Sequence, residues 1–168
     1  MKLGQLEINL DELTTFIVKA KRNGYAGGGE RKRESDGSKT ITFQEGDFHY
    51  TDNYAGSNQA PGQEIVRWQR EEGKRIWQMA YSGGMLPKFW QDEKLREGTF
   101  AFLKEVLMQV SFEHPFRGPL EYEHGDFRYE HGITGDISRF FGAEWIRNKK
   151  LDTVVFSQDF IGGLVVPK

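Results

Sequence analysis

Four carboxylates in this chain recur as two pairs at nearly constant spacing: Asp47 with Asp126, and Glu64 with Glu144. Two facing carboxyl groups can share acid and base work, hold a metal, or clamp a cationic ligand. The Asp pair sits inside an echoed word, "EGDFHY" at 45–50 and "HGDFRY" at 124–129. Asp after Gly is also ordinary turn chemistry, its side chain accepting from nearby backbone N–H groups. Glu64, sharing a strand face with Val66 and Trp68, and Glu144, beside Ile146, can equally well satisfy a buried strand end. Both readings stay open for each pair.

Other groups carry weaker signals. His124, Asp126 and His131 lie close together with His114 upstream, and a His-x-Asp pair on one strand face can ligate a metal. Glu45 stands where the echo has His124, and neither a Cys nor an obvious third ligand is present, so no metal site and no cofactor is expected. "GYAGGGERKR" (24–33) sets glycines beside Arg31, Lys32 and Arg33 but lacks the phosphate-loop register, and it reads as a surface loop. No nucleophile elbow or His-Glu-x-x-His helix occurs, and no catalytic residue is assigned.

The echo extends well beyond one word. One constant offset carries Gly46, Asp47, Phe48, Tyr50 and Gly56 onto Gly125, Asp126, Phe127, Tyr129 and Gly135, and Gly83-Gly84 onto Gly162-Gly163. An offset one residue longer carries Gly62 and Glu64 onto Gly142 and Glu144. Each half opens on a helical pattern. Leu10, Leu13, Phe16, Ile17 and Ala20 follow an Asn9 cap, and Phe100, Leu103, Val106, Leu107 and Val110 follow Thr99. Strand-like runs come next: 39–45, 48–54, 63–68 and 75–81, the last two joined by a charged turn around Gly73. The glycine pairs read as turns or bulges where strands end.

The expected fold is therefore α+β: a unit of one helix followed by three to four antiparallel strands, used twice, the two halves related by a pseudo-twofold axis. Residues 1–86 form the first repeat, 87–98 a linker and 99–168 the second repeat, together one compact domain. Each helix needs a sheet face to cover. Trp77, Met79 and Tyr81 supply a floor for the first helix, Phe156 and Phe160 for the second.

Bulk properties bound the partners. The 168 residues carry 23 basic and 25 acidic side chains, so no global field draws the chain to nucleic acid or anionic lipid. With no cysteine there is no thiolate chemistry and no disulfide scaffold. No apolar run approaches the ~18 residues of a membrane span and no secretory segment is recognisable, so the expected location is cytoplasmic.

Taken together, "EGDFHYTDNYAGS", "GQEIV", "IWQMAYSGG", "FRGP" and the second "GDFRY" resemble a bacterial and archaeal family of unknown function. Its members occur alone or behind a helix-turn-helix domain of the lambda-repressor-like class. The resemblance runs from about Leu10 to Leu164. It transfers no catalytic residue, and it implies a sensor or assembly role. The leading expectation is a non-enzymatic domain that binds a small ligand in a cleft at the internal repeat axis, lined by Phe48, Tyr50, Tyr54, Glu64, Phe127, Tyr129 and Glu144. A protein-interaction module or homodimer, and an enzyme using the paired carboxylates, are the rival readings.

Overall fold

The first helix starts where the sequence supplies its cap. Asn9 accepts from the backbone N–H of Asp11 at 2.9 Å and of Glu12 at 3.4 Å, occupying donors that a first helical turn leaves free. From there α1 (Leu10–Asn23) runs for 14 residues and buries Leu13, Phe16, Ile17 and Ala20 along one stripe. The computed structural model describes residues 1–3 and 6–166. Ahead of α1, β1 (Lys2–Leu3) pairs with β2 (Leu6–Glu7).

Behind it stand β3 (Lys32–Arg33), β4 (Lys39–Glu45), β5 (Phe48–Tyr54), β6 (Gly62–Trp68) and β7 (Arg75–Met85). A 3-10 turn (Pro87–Phe89) leads to α2 (Glu93–Leu107). The chain then gives β8 (Glu121–His124), β9 (Phe127–Asp136), β10 (Arg139–Asn148) and β11 (Thr153–Leu164). All nine strands from β3 onward form one antiparallel sheet in the order β3-β4-β5-β6-β7-β11-β10-β9-β8.

This β-rich fold corrects the expected duplicated α+β unit with two halves about a pseudo-twofold axis. Among the described residues one nine-stranded sheet, the short β1–β2 pair and two helices account for the architecture. The cause is the direct pairing of β7 with β11, from Trp77 opposite Leu164 to Met85 opposite Phe156. Joining these long apolar strands removes two edges that would otherwise carry unpaired backbone. The echoed words occupy matching ladder positions in that sheet. Gly46-Asp47 turns β4 into β5 and Gly125-Asp126 turns β8 into β9, with glycine φ of 57° and 56°.

Cross-strand register puts both helices on one face. Tyr50 stands opposite Val66, Val66 opposite Trp77, Tyr81 opposite Phe160, and Ile146 opposite Tyr129. Beneath α1 a core gathers Phe16, Ile17, Tyr50, Val66, Trp77 and Phe140; beneath α2 a second gathers Phe102, Leu103, Val106, Tyr129, Ile146 and Phe156. Phe160, expected under the second helix, packs in the core of the first, as a continuous sheet allows.

Two local expectations also change. α2 starts behind Asp92, which accepts from Leu95 N–H at 2.9 Å, so the 87–98 segment holds the 3-10 turn and the opening of the helix. Thr99 is buried inside that helix and donates to the Leu95 carbonyl at 2.7 Å. The two Gly-Gly pairs fall in the last three residues of β7 and of β11, at the strand ends where they were expected. Side chains at Gly83 and Gly84 would collide with the backbone of Ser157 and Asn58, so glycine lets neighbouring chain close on β7.

Candidate functional site

Lys21 sits one turn beyond Ile17 on the buried stripe of α1, a place where a chain pattern of this period delivers a side chain into the core. Its ammonium donates to the Glu64 carboxylate and to the Phe116 carbonyl, the latter at 2.8 Å. Burial holds the Lys21 pKa below the usual lysine value, with Glu64 opposing the shift.

Across the β5–β6 ladder, Asp52 stands directly opposite Glu64, and both are buried. Like charges in opposed positions repel. Burial first, and Glu64 second, push Asp52 up to about 7, while the Tyr81 hydroxyl, Lys21 and Arg117 pull it down. Tyr81 donates to Asp52 Oδ1 at 2.7 Å.

A second network adjoins the first. Arg117, in the segment between α2 and β8, donates to Glu144 Oε1 from Nε at 3.0 Å and Nη2 at 2.7 Å. Glu144 also accepts from Tyr129 at 2.7 Å and from Gln158 at 3.0 Å. Four donors thus hold a carboxylate that is entirely buried, the condition under which a buried charge is tolerated. Burial works against the Arg117 charge, but Glu144 outweighs it and holds the guanidinium above its usual pKa. The guanidinium lies 5.7 Å from the centre of the Tyr81 ring, which links the two networks.

Between the helices and the sheet lies a cavity of about 260 Å³. Lys21, Asp52, Glu64, Tyr81, Arg117 and Gln158 form its polar floor, and Phe100, Leu103, Leu107 and Phe156 an apolar wall. Exposed Arg31, Gly56 and Ser57 mark its mouth, with Lys39, Tyr25 and Tyr54. Tyr25 and Tyr54 meet edge to face at 6.0 Å. Arg31 lies 5.1 Å from the Tyr25 ring centre and Lys39 lies 5.6 Å from that of Tyr54.

Of the residues expected from sequence, Tyr50, Tyr54 and Glu64 line this cavity. Tyr129 and Glu144 lie in the adjoining Arg117 network. Phe48 packs between Phe16 and Trp68, at 5.1 and 5.6 Å, and Phe127 stacks on Phe102 at 5.3 Å, so both serve the cores. Glu64 and Glu144 do not face each other: β7 and β11 separate their strands, three spacings or roughly 14 Å. Asp47 and Asp126 lie in hairpin turns, Asp126 with Lys150 at 2.6 Å. His124 pairs with Glu105 at 2.8 Å on the surface while His131 is buried beside Tyr129. No group of three or more His, Asp or Glu among the described residues is placed to hold a metal ion.

Sequence reasoning missed Lys21, Asp52, Tyr81 and Arg117. A signal existed for two of them. Asp52 alternates with Tyr50 and Tyr54 on one strand face, and Lys21 continues the stripe of Leu13, Ile17 and Ala20.

These features define a class: a β-rich domain built on one nine-stranded sheet, with two helices on one of its faces and a charge-floored cavity beneath them. Residues 52–165 match the model of a domain of unknown function, DUF5680, and the chain belongs to that family. The matched stretch contains Asp52, Glu64, Tyr81, Arg117 and Glu144, whereas Lys21, Tyr25, Arg31, Lys39 and Tyr50 precede it. No curated protein and no solved structure matches the chain. No helix among the described residues is long and apolar enough to cross a membrane.

Proposed function

We infer that this protein is a small-ligand-binding domain whose site is the cavity between α1, α2 and the sheet. The observation that carries this reading is the cavity floored by Asp52, a buried carboxyl set directly opposite Glu64, whose pKa burial raises to about 7. Groups so perturbed in a cleft concentrate at functional sites, and a concave apolar space with a few convergent polar groups is the usual form of a ligand pocket. Binding rather than acid–base catalysis is favoured because Glu64 and Glu144 are each neutralised by a cation and stand three strand spacings apart. A sensor role inside the cell, paired with a separate DNA-binding partner, fits the resemblance to proteins that occur behind helix-turn-helix domains.

A thermal-shift screen of cellular metabolites tests the reading. A ligand at 100 times its dissociation constant stabilises the fold by about 2.7 kcal/mol. No shift across a broad panel, with the protein folded, refutes ligand binding.

A second reading has its own observation. On the sheet face away from the helices, Phe141 and Ile161 oppose each other and are 58% and 62% exposed. A patch of this kind suits a protein contact, and substitution of both by Ser with measurement of oligomeric state tests it.

A further inference from the structure

The charges around the cavity do not cancel, and their imbalance has a direction. In the floor and the network behind it, Lys21 and Arg117 face Asp52, Glu64 and Glu144, one carboxylate more than the cations. Glu64 has Lys21, and Glu144 has Arg117, Tyr129 and Gln158. Asp52 has Tyr81 on Oδ1, and no hydrogen bond from a described residue reaches its Oδ2. The mouth is the reverse. Arg31 and Lys39 lie against tyrosine rings and make no ion pair among the described residues. Lys39 stands opposite Tyr54, two positions along β5 from Asp52, so the two ends are separated by roughly 7 Å of strand.

We propose that the cavity takes a small amphoteric molecule, with a cationic nitrogen on Asp52 and an anionic group at Arg31 and Lys39. An apolar or aromatic body lies along Phe100, Leu103 and Phe156 between them. The proposal rests on the ligand-binding reading and specifies it. A cation at Asp52 replaces the proton that the carboxyl otherwise keeps beside Glu64, and an anion at the mouth offsets two unpaired positive charges. With the cation on the floor and the anion at the mouth, the proposal calls for molecules whose two charges sit on separate groups rather than on one carbon as in α-amino acids.

The groups facing Asp52 are Glu64 from β6, Tyr81 from β7, Tyr50 and Tyr54 from β5, Tyr25 and Lys21 from α1 and its C-terminal end, and Arg117. Burial holds the tyrosine pKa values above their usual range, whereas it raises the Asp52 carboxyl to about 7.

Calorimetric titration with five probes tests the proposal: p-aminomethylbenzoate, benzylamine, p-toluate, phenylglycine and neutral benzyl alcohol. The expected result is that p-aminomethylbenzoate binds at least about tenfold more tightly than each of the others. Its affinity, and that of benzylamine, rises about tenfold per pH unit up to about pH 7 and then levels, because each needs the ionised carboxyl. Asp52→Asn, nearly isosteric, removes that pH dependence and the advantage of the amine while leaving p-toluate binding in place. Arg31→Ala with Lys39→Ala removes the advantage of the carboxylate and leaves benzylamine binding in place. Equal affinity for p-aminomethylbenzoate and neutral benzyl alcohol at every pH overturns the proposed class but leaves ligand binding standing. Failure of all these probes, together with a silent metabolite screen, overturns both.

Discussion

The ring of Tyr81 stands over Gly62, its strand neighbour on β6, closely enough that a methyl group on that glycine would come within 2.6 Å of Tyr81 Cζ. The missing side chain is what lets the Tyr81 hydroxyl reach Asp52. Gly62→Ala is expected to cost about 1–3 kcal/mol by overpacking and to loosen the Tyr81–Asp52 bond. A methyl group on Gly132 in β9 would meet nothing within 4 Å, and Gly132→Ala is expected to stay within about 0.5 kcal/mol of the parent. Urea unfolding of both variants checks the contrast.

Tyr81→Phe removes a bond that favours ionised Asp52, so the carboxyl is expected to titrate above its present value of about 7. The measurement is carbon-detected NMR of the Asp52 carboxyl across pH. An unmoved or lowered titration contradicts the assigned role of the hydroxyl.

Asp52 also gives stability a pH dependence of fixed sign. Its folded pKa of about 7 lies above the ordinary aspartate value of 3.8, so between these limits the folded state binds a proton that the unfolded state has released. Stability from this group is fully present below pH 3.8 and is lost as pH rises to about 7, by up to about 1.4 kcal/mol per pH unit, with no further change above. Subtracting the profile of Asp52→Asn from that of the parent isolates the slope.

Lys21→Met strands Glu64 without its cation, and breaking a buried pair from one side costs about 3–5 kcal/mol. Adding Glu64→Gln removes the stranded charge and is expected to restore part of the loss. A double-mutant cycle by chemical denaturation supplies the coupling. Additive losses would show that the two side chains do not interact.

Local features were legible because they are written locally. The Asn9 cap and the Leu13–Ile17–Ala20 stripe define α1, and period-two alternation from Phe48 to Tyr54 defines β5. The long-range pairing was not. Trp77 and Leu164 become neighbours although they lie 87 positions apart in the sequence (164 − 77), and alternation says which face a strand buries without naming its partner. That is why the sequence points to two α+β layers where one sheet forms. The site divides the same way. Tyr50, Tyr54 and Glu64 declare themselves by strand face. Lys21 hides in the last turn of a helix, where a lysine ordinarily faces water and complements the helix dipole. Arg117 hides in a segment outside any regular element, with nothing nearby to announce that Glu144 would claim it. Asp92 reads as part of a connecting stretch because the residues after it are charged, although that charged surface is the solvent side of α2.

The place of β11 in the sheet has a consequence for how the molecule comes into being. A nascent chain that has not yet delivered residues 153–164 holds β3 to β7 as one block and β8 to β10 as another, with open apolar margins on β7 and β10. Phe156 and Gln158 arrive with the same strand, so the cavity acquires its remaining wall only once β11 has been made. Late, long-range closure of this kind makes for slow maturation and an interval of stickiness. On the ribosome, protection from proteolysis is expected to appear abruptly once β11 has emerged.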